Sequence, residues 1–272
     1  MSALKGIDIS RHNTIRSFPA IKSQGVDFCV IRAGYGTVVD AKFEAHIKAA
    51  TDCGMLVGSY WFCYALNAAD ARREAEVCAE TLRGHQLDLP VFYDFEYDTE
   101  RYAEKHKVVY NPKLRTDIID TFCAEMTKRG YNAGVYTNPD YWLYKLNSDR
   151  LSKYSLWIAS YKSKDGKATF DTVLPTDLPP AFQNAMLWQF GMCKMPKAVG
   201  YVDIDYGYGI KPPAPKKTYK VGDLYTIKPG DLYTTGRKVP ARLVGKTYTV
   251  WQTKPGAVLL KEIVSWVSVC DT

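Results

Sequence analysis

At 272 residues, with 46% hydrophobic, 24% charged and 13% aromatic side chains, the chain can hold a barrel-sized domain plus a small one and is too apolar to stay disordered. Its net charge of +7 is uneven: residues 1–210 carry 25 Lys+Arg against 25 Asp+Glu, and residues 211–272 carry 11 against 4, so the tail holds the whole excess. Seven scattered cysteines without CxxC spacing read as reduced packing residues, and no apolar run suits a signal peptide at Met1–Ile9 or a membrane span. A soluble protein made in the cytoplasm, with no membrane insertion, is therefore expected.

Eight β-rich runs are read in chain order: Gly6–Ser10, Phe28–Gly34, Met55–Ala65, Pro90–Glu96, Asn132–Asn138, Ser155–Tyr161, Ala185–Phe190 and Ala198–Asp205. The first five alternate with helical segments such as Asp70–Arg83 and Lys113–Arg129, where Leu114, Ile118, Phe122 and Met126 recur every fourth residue. Such alternation implies a parallel sheet. The connections Lys162–Asn184 and Gly191–Lys197 lack helical periodicity, so the expected fold is an irregular α/β barrel with helices missing from its last third. Lys211–Lys217, rich in proline, predicts an extended linker that separates a barrel over 1–210 from a second domain over 218–272. That second domain has short alternating runs broken by Gly and Pro, the pattern of a small all-β barrel.

Asp94 and Glu96 stand two apart at the end of the fourth run, so they share a face. Val91, Tyr93 and Phe95 are apolar enough to pack on helices, which turns Phe92, Asp94 and Glu96 into the barrel. The same alternation points Gly6, Asp8 and Ser10 inward from the first strand, and Tyr201, Asp203 and Asp205 from the last. Acids from distant strands then converge on one mouth, where parallel barrels carry their chemistry. Crowded carboxylates in a partly dry site repel one another, which lets one keep a proton near neutral pH and act as a general acid. An isolated Asp-x-Glu more often caps a helix or pairs with arginine; the convergence is what favours chemistry here. Tyr60, Phe62, Tyr64, Tyr136, Trp157 and Trp188 are placed at inward positions too, as faces suited to sugar rings.

Other chemistries lack their residues. Four histidines without paired-ligand spacing, no phosphate-cradling loop and no GxSxG leave carboxylate chemistry with no metal and no cofactor.

Several motifs in joint order resemble family-25 glycoside hydrolases over residues 4–207: Gly6-Ile7-Asp8-Ile9-Ser10, Val30-Ile31-Arg32-Ala33-Gly34-Tyr35-Gly36, Gly58-Ser59-Tyr60-Trp61-Phe62, Asp94-Phe95-Glu96, Gly134-Val135-Tyr136, Leu156–Tyr161, Trp188-Gln189 and Val202–Asp205. The resemblance implies a TIM-like barrel of eight strands and five helices, and a lysozyme of phage endolysin type that cuts between N-acetylmuramic acid and N-acetylglucosamine in peptidoglycan. By matching position Glu96 is the general acid. Asp94 stabilises positive charge or orients the acetamido group, and Asp8 and Asp203 complete the acidic site. Arg32, Asp205 and the aromatics Tyr60, Phe62, Tyr136, Trp157 and Trp188 are the implied substrate contacts. A carboxylate, a water or the substrate's own acetamido group could attack: a carboxyl separation of about 5–5.5 Å suits the first and roughly 6.5–9.5 Å the others. A hydrolase of another polysaccharide such as chitin, or a binder with a degenerate barrel, are the competing readings. Asn13 departs from the family pattern after the first strand, as do the lysines of Gly191–Lys197.

The tail resembles a bacterial SH3-like wall-binding module through Gly245–Val250 and Val264–Val267. Its charge suits polyanionic wall polymers through an attraction that salt weakens. With no basic helix or stacking platform, nucleic acid is not an expected partner.

Overall fold

The computed structural model describes residues 3–196, 198–211, 219–228, 231, 233–235, 237–254 and 257–268. The chain divides into two compact units, Met1–Pro213 and Ala214–Thr272. Of the expected linker, residues 212–217 lie outside the described residues.

The first unit is a closed barrel. Strands β1 (Leu4–Ile9), β2 (Phe28–Tyr35), β4 (Leu56–Phe62), β5 (Val91–Asp94), β6 (Ala133–Thr137), β7 (Ser155–Ala159), β8 (Leu187–Lys194) and β9 (Tyr201–Gly207) follow one another around it, and β1 pairs with β2 to close the ring. A short β3 (Val38–Val39) folds back on β2. The pairs from β1 to β8 by way of β2 are parallel, as the strand-helix alternation implies.

Two expectations need correction. The last strand runs antiparallel to both of its neighbours, β8 and β1. The cause is chain length: β8 continues to Lys194, through much of the expected Gly191–Lys197 connection, which leaves residues 195–200 to reach β9. So short a connection can make a hairpin and no parallel crossover. The helices number six α-helices among the described residues rather than five: α1 (Phe18–Lys22), α2 (Phe43–Asp52), α3 (Ala68–Thr81), α4 (Tyr97–Lys105), α5 (Pro112–Lys128) and α6 (Ser148–Leu151). The shortest, α1 and α6, are too brief to show a hydrophobic period.

Local chemistry sets the long helices. Asn67 and Asn111 accept backbone N–H groups at the starts of α3 and α5, satisfying donors that have no partner within the helix. Inward-facing side chains Phe28, Val30, Leu56, Phe92, Trp157 and Leu187 fill the barrel, while the alternate positions Ile7, Ile31, Trp61, Tyr93 and Val135 pack under the helices. Glycine is required at two inward positions. A Cβ on Gly6 would lie 2.1 Å from the Phe28 ring, and one on Gly134 would lie 2.4 Å from Phe92.

One acid is buried in the outer layer. Glu74 of α3 accepts the Tyr93 hydroxyl at 2.8 Å and the Tyr64 N–H at 3.1 Å, and burial pushes its carboxyl up to about 8 despite those donors. Folding thus favours the protonated form. Its contribution is complete below the ordinary value of 4.5 and is lost as pH rises through about 8. Glu74→Gln, which stays neutral, should flatten the fall in melting temperature between pH 6 and 9, removing a penalty on the order of 5 kcal/mol at most. An unchanged slope in thermal melts across that range would show that Glu74 is not the titrating group.

The second unit is a four-stranded antiparallel sheet of β10 (Leu224–Thr226), β11 (Thr247–Lys254), β12 (Ala257–Leu260) and β13 (Ser265–Ser268). Tyr225, Ile227, Val250, Val258, Leu260 and Val267 form its core. The Tyr225 hydroxyl is tied inside by a 2.7 Å bond to Asp231.

Candidate active site

A cavity of about 430 Å³ opens at the barrel rim formed by the C-terminal ends of the parallel strands, and Asp8, Asp94, Glu96 and Asp203 all line it. The reversed β9 explains how Asp203 reaches this end. In the β1–β9 register Asp203 stands opposite Asp8, so an acid near the start of the antiparallel strand meets one near the end of β1. Asp94 closes β5, and Glu96 follows as the N-cap residue of α4, its backbone N–H 3.4 Å from Thr99 Oγ1.

Burial dominates the electrostatics. The Glu96 carboxyl is pushed up to about 7, first by withdrawal from water and then by the Asp98 and Asp203 carboxylates, with Arg101 pulling the other way. Asp203 rises to about 6, again mainly through burial. Asp94 is raised by burial and next by Glu96, and Asp8 by burial and next by Asp203 and Asp205. Repulsion between the acids, the effect expected from their convergence, comes second to desolvation in the folded barrel. The combined effect is a cluster in which all four carboxyls are raised above the ordinary carboxylate range, with Glu96 titrating near neutral pH.

A polar frame fixes the acids. Gln189 donates its Nε2 to Asp8 at 2.8 Å and accepts the hydroxyls of Tyr136 and Tyr161 at 2.8 and 3.0 Å. Trp157 forms the floor, with its ring set edge-on to Tyr60, Phe92 and Tyr136 and its indole N–H donated to Asp205 at 2.8 Å. Tyr60, Phe62, Tyr64 and Arg32 line the walls.

Two expected contacts sit elsewhere. Trp188 faces outward, among Phe190 and Tyr206, with its N–H on the Ser160 carbonyl. Its neighbour Gln189 takes the inward position. The run Ala185–Phe190 is apolar except at Gln189, so alternation could not set the register, and that lone polar residue was the available clue. Asp205 points inward yet is fully buried and does not line the cavity. It interacts with Asp8 beneath the cavity, and its Oδ2 has no hydrogen-bond partner among the described residues. Tyr35, Tyr161 and Gln189, which the sequence motifs include without a role, also line the cavity, as do Arg11, His12 and Asp98, which no motif marks.

A second hollow, of about 640 Å³, lies at the opposite end of the strands beside Pro90, Ala133, Ser155 and Met186. Its lysines, Lys128 and Lys153, are already paired with Glu125 and Asp120, and no acids converge there. The rim cavity is where the chemistry belongs.

Raised carboxyls gathered in an aromatic-walled cavity at the end of a closed barrel can exchange protons with a bound molecule near neutral pH. The family model for glycosyl hydrolases family 25 matches residues 7–194. The chain belongs to that family, and it is a glycoside hydrolase of the lysozyme type. It is 27% identical over 179 residues to the probable GH family 25 lysozyme 2 of Dictyostelium discoideum, covering 64% of this chain and 79% of that one. The autolytic lysozyme of Clostridium acetobutylicum is 28% identical over 159 residues, 58% of this chain and 45% of its own. Among solved structures, the modular autolysin LytC of Streptococcus pneumoniae in complex with a synthetic peptidoglycan ligand aligns at 26% identity and a TM-score of 0.60, covering 76% of this chain and 47% of LytC. This chain thus spans less than half the length of the latter two.

Proposed function

We propose that the barrel is an N-acetylmuramidase, hydrolysing the β-1,4 bond between N-acetylmuramic acid and N-acetylglucosamine in bacterial peptidoglycan. The observation that carries this reading is Glu96: a carboxyl raised to about 7 at the rim of a cavity that it shares with Asp8, Asp94 and Asp203. Protonated Glu96 delivers its proton to the glycosidic oxygen as the bond breaks. Positive charge then grows at the anomeric carbon, where the neighbouring acids Asp94, Asp8 and Asp203 stabilise it, and the reaction closes as water adds to that carbon and gives up a proton that restores Glu96. Aromatic walls of Tyr60, Phe62 and Tyr136 suit the flat faces of the sugars. The similar proteins, two lysozymes and an autolysin solved with a synthetic peptidoglycan ligand, support the same substrate.

The physiological role we assign is that of a phage endolysin, held in the host cytoplasm before it acts on the wall. We assign the C-terminal sheet the fold of an SH3-like module that binds wall polymers. Eleven basic residues against four acidic ones over 211–272 support attraction to a polyanionic wall. Deleting 211–272 should leave cleavage of soluble glycan intact and lower the lysis rate of whole cells, most strongly at low salt. Equal lysis by the truncated and full-length proteins in a turbidity assay would remove the targeting role.

The reaction is tested by digesting purified wall and identifying the new reducing end by mass spectrometry. N-acetylmuramic acid at that end is the expected result. N-acetylglucosamine there would mean a different cut, cleavage of chitin in preference to wall would mean a different polymer, and no release would leave a binding protein.

A further inference from the structure

The acids occupy one side of the cavity; the other side is cationic. We propose that Arg11, His12 and Arg32 form a subsite that binds a carboxylate of the substrate, an assignment that rests on the muramidase reading and narrows its specificity.

The loop after β1 is built to hold these groups. Asn13, the departure from the family pattern, turns its side chain back to accept the Ser10 N–H at 2.9 Å, while its own N–H goes to the Ser10 carbonyl at 3.0 Å. Ser10 Oγ accepts the His12 N–H, and Lys42 Nζ reaches the Asn13 carbonyl. The closed turn presents Arg11 and His12 on the cavity wall. Arg11 lies over the Tyr35 ring, 4.9 Å from its centroid, and donates to the Tyr35 hydroxyl at 2.5 Å.

Among the described residues, Asp40 is the only carboxylate in ion-pair contact with Arg11 or Arg32. Asp40 accepts Arg32 Nε at 2.7 Å and the backbone N–H groups of Arg11 and Lys42, and these donors hold its carboxyl below the ordinary value against the effect of burial. That single carboxylate is spent on Arg32 and the loop backbone. Arg32 Nη2 is buried with no protein acceptor, and the Arg11 guanidinium is exposed and meets a phenol rather than an acid. His12 is lowered by burial and then by Arg32 and Arg11, as expected in a positive field. A planar carboxylate in the cavity supplies the acceptor that the exposed Arg11 guanidinium lacks, while Arg32, whose Nη2 is sealed from solvent, adds its charge to the wall.

Muramyl polymers offer carboxylates from two sources: the lactyl group once its peptide has been removed, and the stem peptide itself. Affinity is read by calorimetry in the full chain carrying Glu96→Gln, so that nothing is hydrolysed, with and without Arg11→Gln. The probes are soluble muramyl tetrasaccharides with free lactyl carboxylates, the same sugars with those carboxylates methyl-amidated, and peptide-bearing tetrasaccharides. Arg11→Gln should weaken binding about tenfold for whichever acid-bearing probe supplies the carboxylate, the lower end of what a hydrogen bond to a charged group contributes. It should leave the amidated probe unaffected, and Arg11→Lys should recover part of the loss. A loss in the first probe identifies the lactyl group; a loss in the third identifies the stem peptide. Equal losses on all three probes, or none on any, would overturn the subsite. Failure of the muramidase reading is seen separately, as absence of cleavage of every probe by the unsubstituted protein.

Discussion

Replacing Glu96 by Gln should lower kcat on soluble glycan strands by about 10²–10⁴-fold, the range that a positioned general acid contributes. Glutamine keeps the shape and a hydrogen-bond donor but has no proton to give. The pH dependence tests the role further. Glu96 must be protonated to act, so activity of the native protein should fall as pH rises through about 7, and this alkaline limb should be absent from the residual activity of the variant. Stability should move the opposite way. The fold favours the neutral carboxyl, whose contribution is complete below 4.5 and lost as pH rises through about 7. A neutral glutamine escapes that loss, so the inactive variant should melt higher than the native protein at pH 8. An active Glu96→Gln protein, or one that melts lower at pH 8, would contradict the assignment.

Asp94→Asn should have the next largest effect, a fall in kcat of about 10²–10³-fold, the scale of losing one preorganised electrostatic contact to developing charge. Asp94 lines the cavity although it is only 5% exposed, and its buried Oδ1 has no hydrogen-bond partner among the described residues, so its charge acts on the cavity at short range through a poorly solvated wall. Glu96 is its main like-charged neighbour and Arg32 its main opposing one. The two acids therefore behave as a coupled pair, in which a proton on either one relieves the repulsion that ionising the other would meet. Removing the Asp94 charge should also lower the alkaline limit set by Glu96, because its proton is then held against less repulsion. A rate within threefold of native, with the alkaline limb unmoved, would show that Asp94 neither stabilises charge nor couples to Glu96.

The barrel was legible because its strands are amphipathic in a simple way. Val91, Tyr93 and Phe95 go outward and Phe92, Asp94 and Glu96 inward, and the same alternation placed Asp8 and Asp203 correctly on the wall. Strand direction was not legible, since alternation is the same whichever way a strand runs. The shortness of the connection between Lys194 and Tyr201, not the pattern of β9, makes it antiparallel. Trp188 was misplaced because an almost unbroken apolar run carries no phase, and Gln189, which organises Asp8, Tyr136 and Tyr161, was hidden beside it. The cationic wall was equally hidden. Arg11 and His12 lie in a turn, where side-chain direction depends on how Asn13 and Asp40 close the loop.

The central claim, that the folded barrel keeps a proton on Glu96 near neutral pH, is measured most directly by carbon-13 NMR of the glutamate carboxyls, with Glu96 assigned by its absence from Glu96→Gln. The resonance should titrate with a midpoint near 7 and move down when Asp203 is replaced by Asn. A midpoint at the ordinary value of 4.5, indifferent to Asp203, would show that Glu96 is a solvated carboxylate and that the acid catalysis described here is wrong.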